Sequence, residues 1–265
     1  MITECGVVDV SQDWVVACGL QERFMETPCA TTQSLTYNAR CRQMRALGGD
    51  CFHFVPLPGR RHKRTGRLVP VVRAGKYVAL AVADASGKGL PAALIIANVQ
   101  SSLRTATLFA PEDPGAVVTA VNRQLHACSP ADRYATLFYG VFDEHTRRLH
   151  YVNAGHNPAV VIRRGSAVTW LEASAPPVGL FAETVYRAQA VQLYSGDLVV
   201  AYTDGIVEAT NTSGADWGVE GLLATVKRFR PRQPGNIVEA VFAALDEFAG
   251  DKQTDDATML AALVH

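Results

Sequence analysis

The sequence has no apolar run long enough for a membrane helix, which needs about 20 residues. Asp84 and Asp204 interrupt its most apolar stretches. It has no CxxC pair and no Cys/His run at zinc-finger spacing. Its six cysteines, Cys5, Cys18, Cys29, Cys41, Cys51 and Cys128, are scattered, which reads as reduced thiols rather than a disulfide framework. The N-terminus lacks a basic segment ahead of an apolar one and carries Glu4 and Asp9 instead, so a secretory leader is not expected. Neither sign of charge dominates: 25 Lys and Arg balance 25 Asp and Glu. That argues against nucleic-acid binding through bulk charge. No internal repeat and no low-complexity linker divides the chain. The expectation is a cytoplasmic protein with no nucleic-acid or membrane partner.

What is present suits a soluble globular protein. The chain has 265 residues, 48% hydrophobic and 19% charged, enough to bury a core without covalent staples. Val78–Ala83 reads as a buried strand. Pro91 marks a first helical turn, and Leu94, Ile95, Val99, Leu103 and Ala106 continue at helical spacing, so 91–108 is predicted helical. Residues 114–127 read as a second helix. Six short strands are predicted next: Ala135–Phe142, Leu149–Asn153, Ala159–Arg163, Val168–Leu171, Val185–Leu193 and Asp197–Tyr202. Helical period returns at 219–229 and 235–249, and Ala257–Val264 closes as a strand. Helices grouped around a run of antiparallel-type strands predict an α+β protein, with sheets face to face and helices outside. Residues 59–76 hold Arg60, Arg61, Lys63, Arg64, Arg67, Arg73 and Lys76 with no acid. They read as an exposed basic insertion, either solvated or a docking patch for an acidic or phosphorylated partner.

Several acids share an uncommon setting. Asp50 ends Gly48-Gly49-Asp50. Asp84 ends an apolar strand and precedes Ala85-Ser86-Gly87-Lys88-Gly89. Asp204 follows Leu198–Thr203 and precedes Gly205. Asp255-Asp256 directly precedes the last strand. A carboxylate at such an edge is costly to desolvate unless paired or bound to a cation. Hard oxygen donors without His or Cys select Mg²⁺ or Mn²⁺, and two such ions can activate water and hold a phosphoryl group. The plain alternative is four unrelated strand-end or turn aspartates.

These segments, with Tyr134–Gly140, Asn153-Ala154-Gly155-His156-Asn157-Pro158, Pro177–Leu180, Ser195-Gly196-Asp197, Tyr202–Ala209 and Asp255-Asp256-Ala257-Thr258, resemble the metal-dependent serine/threonine protein phosphatases of the 2C type. The likeness is to their SpoIIE/RsbU-like bacterial branch and runs in order from about Leu20 to the C-terminus. It implies a four-layer αββα sandwich: two central antiparallel sheets flanked by helices, in a single domain over 20–265 after a short extension, 1–19. It implies two Mn²⁺ or Mg²⁺ ions held by Asp50, Asp84, the Ala85 carbonyl, Asp204 and Asp255, with Asp255 favoured over Asp256. The same four aspartates are the expected catalytic residues. The implied activity is hydrolysis of phosphoserine or phosphothreonine on a protein by a metal-bridged hydroxide. In this branch the substrate is often an anti-anti-sigma (STAS) regulator in a partner-switching pathway, and a separate sensor or activator would control the chain.

Departures from the family pattern matter. His53 stands where Asp is usual; it reads as a satisfied structural histidine or as a change in the metal surroundings. Lys88 stands where many members have His; it reads as a phosphate-attracting charge or a solvated one, and with metal-bound water it is a candidate proton donor to the leaving group. His156 reads as a turn residue holding neighbouring backbone, and Glu208 as either a neighbour of the site or a surface acid. The competing functions are a catalytically weak or inactive phosphatase-fold binding module, a hydrolase of small phosphate esters, and a Gly-Gly-Asp nucleotide cyclase. The last is disfavoured because Cys51 follows Asp50 where Glu is expected.

Overall fold

The computed structural model describes residues 10–25, 29–57, 77–230, 233–250 and 253–265. The basic insertion expected at 59–76 lies outside the described residues. In chain order the elements are α1 (Val10–Met25), β1 (Ala30–Thr31), β2 (Leu35–Arg42), β3 (Asp50–Leu57), β4 (Tyr77–Ala85), α2 (Leu90–Phe109), α3 (Pro114–Cys128) and β5 (Ala135–Asp143). There follow β6 (Arg148–Ala154), β7 (Ala159–Ile162), β8 (Val168–Leu171), β9 (Gln189–Gln192), β10 (Leu198–Tyr202), α4 (Asp204–Val207), α5 (Gly218–Phe229), α6 (Pro234–Ala249) and β11 (Ala257–Val264).

Two sheets form, in the orders β1-β2-β11-β10-β7-β8 and β3-β4-β5-β6-β9. Every strand pair in them is antiparallel. Strand period two sends alternate side chains to opposite faces. Leu80, Val82 and Phe138 pack between the sheets against Val199, Ala201 and Leu260. Their sequence neighbours Ala81, Ala83 and Leu137 pack against Ile96, Val99 and Val121 of α2 and α3. On the far side Val200, Tyr202 and Met259 meet Val226, Val238 and Phe242 of α5 and α6. Three apolar layers therefore separate four structural ones, the αββα sandwich expected. Strands buried on both faces read as continuous apolar runs, which is why β4, β5 and β11 were visible in the sequence.

Helix starts follow local chemistry. Pro lies in the first turn of α2, α3 and α6, where its missing N–H costs nothing. Asp113 also accepts the Ala116 amide at 3.0 Å, capping α3.

One element differs from expectation, and two were not anticipated. The strand expected at Val185–Leu193 is confined to Gln189–Gln192. Upstream, Tyr186 is buried and its hydroxyl donates to the carbonyls of Pro176 and Pro177. Its amide donates to Thr119 Oγ1 of α3, so the segment crosses α3 instead of pairing. Residues 10–25 form helix α1, an element not anticipated from the sequence. The segment following Gly48-Gly49 continues as strand β3. Among the described residues no helix is long and apolar enough to cross a membrane.

Candidate metal centre

Topology gathers the acids. Asp50 opens β3 and Asp84 lies near the end of β4, directly opposite it in register. Both share the strand face of Phe52 and Val82, which looks between the sheets. In the other sheet, Tyr202 pairs with Met259, so Asp204 and Asp255 leave β10 and enter β11 at one edge. Thr203 links the two sheets: its Oγ1 donates to Asp50 Oδ2 at 2.7 Å and accepts the Thr258 amide at 2.9 Å.

The glycines of these motifs make room. At Gly49 a Cβ would lie 3.0 Å from Ala92 Cβ and 3.2 Å from the Ala85 carbonyl oxygen. At Gly205 it would overlap the Asp256 carbonyl. The Ala85 amide donates to the Gly49 carbonyl at 2.9 Å, fixing the Ala85 carbonyl beside Asp84.

The electrostatics are those of acids crowded without enough cations. Burial, then repulsion from Asp84, raises the Asp50 carboxyl well above the usual range. Burial and repulsion from Asp204, Asp255 and Asp256 push Asp84 up to about 7. Asp204 is raised by burial and by Asp255. Glu208, exposed, is raised chiefly by Asp204. Like charges held together this way suit divalent cations bound through hard oxygens. Among the described residues no three His, Cys, Asp or Glu side chains form a ready-made cage. Backbone carbonyl and water oxygens would complete the shell, as Mg²⁺ commonly requires.

The neighbours Asp255 and Asp256 divide their tasks. Asp256 Oδ1 accepts the Met44 amide and its Oδ2 the Gly49 amide, both at 2.6 Å. Both of its oxygens are thus spent on the loop before β3. Asp255 is bound differently: its Oδ1 accepts the adjacent Asp256 amide at 2.9 Å and its Oδ2 meets Lys88 Nζ at 2.8 Å, with the side chain 40% exposed.

Several readings change here. Lys88, with its side chain 45% exposed, pairs with Asp255. His53 lies on the strand face of Cys51 and Val55, toward α2 and α3, away from the carboxylates. It is buried, yet neither ring nitrogen has a hydrogen-bond partner among the described residues. It is therefore neither a satisfied histidine nor part of the metal surroundings, and burial with the nearby Arg104 charge brings its pKa down to about 4. In the His156 turn, Asn153 Oδ1 accepts the backbone amide of His156. The His156 ring instead shares a 2.8 Å hydrogen bond between Nδ1 and Thr136 Oγ1, and Thr136 sits opposite Asp84 in β5.

Residues not singled out in the sequence also shape the site. Gln21 of α1 donates to the Gly48 carbonyl at 2.7 Å and accepts the Gly48 amide at 3.1 Å. Thr203 and Thr258 lie within the motifs quoted from the sequence but were assigned no role there, and no local pattern marks Gln21.

Comparison with known proteins places the family and the fold. Residues 74–265 match the family model described as Stage II sporulation protein E (SpoIIE). The phosphoserine phosphatase RsbU of Bacillus subtilis (strain 168) is 23% identical over 210 residues, covering 78% of this chain and 56% of RsbU. The chain spans about half the length of the curated relatives it matches. The PP2C domain of SiaA from Pseudomonas aeruginosa superposes with a TM-score of 0.77 at 18% identity, covering 96% of each chain. The catalytic domain of the serine/threonine protein phosphatase PstP, solved with two manganese ions, gives 0.59 at 16% identity over 87% of this chain and 98% of PstP.

Proposed function

The chain belongs to the SpoIIE family, and on that premise we propose that it is a metal-dependent protein phosphatase acting on phosphoserine or phosphothreonine. The observation that carries the reading is the convergence of Asp50, Asp84, Asp204 and Asp255 at one sandwich edge, where burial and mutual repulsion raise the first three carboxyls. These four carboxylates and the Ala85 carbonyl would hold two Mn²⁺ or Mg²⁺ ions. When bound, the ions supply Lewis acidity toward water and toward the phosphoryl oxygens.

The chain's own residues do the rest. Thr203 orients Asp50. The face-to-face register of β3 and β4 sets Asp50 against Asp84. Asp256 and Gln21 hold the turn that carries Gly48 and Gly49, and Gly205 lets α4 begin against the Asp256 backbone. The substrate we favour is a phosphorylated STAS-type anti-anti-sigma regulator in a partner-switching pathway. The relatives RsbU and RsbP, both named phosphoserine phosphatases, support the phosphoserine part of this reading. A separate sensor or activator is the expected control.

The test is hydrolysis of p-nitrophenyl phosphate and of a serine-phosphorylated STAS protein, with Mn²⁺, Mg²⁺ or EDTA. Metal-dependent turnover on both, lost in Asp84→Asn and Asp204→Asn, is the expected result. Turnover retained in both variants would overturn the two-metal site. A folded chain that binds Mn²⁺ but turns over neither substrate would favour the binding-module alternative.

A further inference from the structure

We propose that Lys88 is a built-in counter-cation for Asp255, one that a metal ion must displace to load the outer half of the centre. This rests on the ligand role proposed for Asp255. Lys88 sits between Gly87 and Gly89, whose φ angles of 95° and 71° let the loop double back before α2. That path carries Nζ to Asp255 Oδ2 at 2.8 Å and to the Thr254 carbonyl at 3.1 Å. The other Asp255 oxygen, Oδ1, accepts the Asp256 amide. Oδ2, the Asp255 oxygen not tied to the backbone, is the one the ammonium occupies.

No other basic side chain among the described residues pairs with Asp50, Asp84, Asp204 or Asp255. The Arg133 and Arg45 guanidinium groups lie against the glycine loop, 2.7 and 3.5 Å from where Cβ atoms at Gly87 and Gly89 would stand, but they do not reach the acids. The Lys88 charge also lowers the carboxyls of Asp204 and Glu208 against the repulsion around them. A divalent ion and an ammonium repel and compete for one carboxylate oxygen. The lysine side chain of the pair is 45% exposed and that of Asp255 40%, so the flexible lysine stem can swing outward when the ion arrives. The lysine thus keeps the outer acids together without metal and sets how tightly the second ion binds.

The experiment is a Mn²⁺ titration by calorimetry, with bound Mn²⁺ counted by EPR, on the full chain and on Lys88→Met, Lys88→Arg and Asp255→Asn. Lys88→Met should bind the second Mn²⁺ about three- to tenfold more tightly: loss of an exposed pair accounts for up to about fivefold, and relief of ammonium–metal repulsion adds to it. Added salt should narrow the gap, and Lys88→Arg should stay near wild type. If Lys88→Met binds no more tightly while Asp255→Asn loses the second ion, the counter-cation idea falls and the ligand role of Asp255 stands. If Asp255→Asn keeps both ions, the ligand role fails and the inference with it.

Discussion

Neighbouring aspartates with opposite duties offer a sharp test. Asp256→Ala removes the acceptor of two backbone amides, Met44 and Gly49, each bonded at 2.6 Å. Residues 47–50 are buried, so water cannot readily replace the carboxylate at the Gly49 amide. Each unsatisfied donor costs about 1–3 kcal/mol, or about 2–6 kcal/mol for the two. Asp255→Asn breaks only a half-exposed pair worth at most about 1 kcal/mol. Both changes also remove a charge that repels Asp84, so the net effect of Asp255→Asn is small and of either sign, while for Asp256→Ala the relief offsets part of the lost hydrogen bonding. In urea denaturation without metal, at an m-value of about 3 kcal/mol/M, Asp256→Ala should lower the midpoint by about 0.7–2 M. Asp255→Asn should leave it within about 0.3 M. In Mn²⁺ titration the ranking reverses for the second ion, which Asp255→Asn should lose. An Asp256→Ala protein as stable as wild type, or an Asp255→Asn protein that is the less stable of the two, would refute the division of labour.

Two further outcomes follow from the same contacts. Gln21→Ala leaves the buried Gly48 amide and carbonyl without the side chain that serves both, and should destabilise the protein by about 1–3 kcal/mol, read by denaturant unfolding; an unchanged midpoint would separate α1 from the site. For pH, the folded Asp84 carboxyl sits at about 7, above its ordinary value of 3.8, so between these values the folded state holds more protons than the unfolded one. Metal-free stability should therefore fall as pH rises from about 4 to 7, by at most about 1.4 kcal/mol per unit for this group. Mn²⁺ affinity should climb over the same window because the ion needs the ionised form; calorimetry in buffers of different ionisation enthalpy should detect proton release, and pH-independent binding would contradict it.

The sequence was legible where burial on both faces or a proline punctuates the chain. β8 and β11 have the predicted limits, and α2, α3, α5 and α6 start within one residue of expectation. Weak periodicity hid the rest. β2 carries Asn38, Arg40 and Arg42 among its apolar residues, and β3 is broken by His53 and Pro56. On α1, Trp14, Val15, Val16, Leu20 and Phe24 remain exposed, so no clean apolar stripe announces a helix. α4 is a single turn. The Val185–Gln192 stretch alternates well enough to suggest a long strand, yet a buried tyrosine bonded to two proline carbonyls outweighs that pattern.

The candidate site shows the same boundary between local and tertiary information. Four acids were recognisable because each abuts an apolar strand or a glycine, a one-dimensional signal. What each acid bonds to is not one-dimensional. Asp50 is oriented by Thr203, 153 positions away, and Asp256 holds an amide 207 positions away. The glycines show why: a motif can require a residue without a side chain, but only the packed sheets reveal that the space at Gly205 belongs to the Asp256 backbone. Lys88 follows the same logic. From the loop alone a phosphate-facing and a solvated lysine were equally plausible. The packed sheet edges set Lys88 Nζ 2.8 Å from Asp255 Oδ2, 167 positions away, and the proposed competition with a metal rests on that long-range contact.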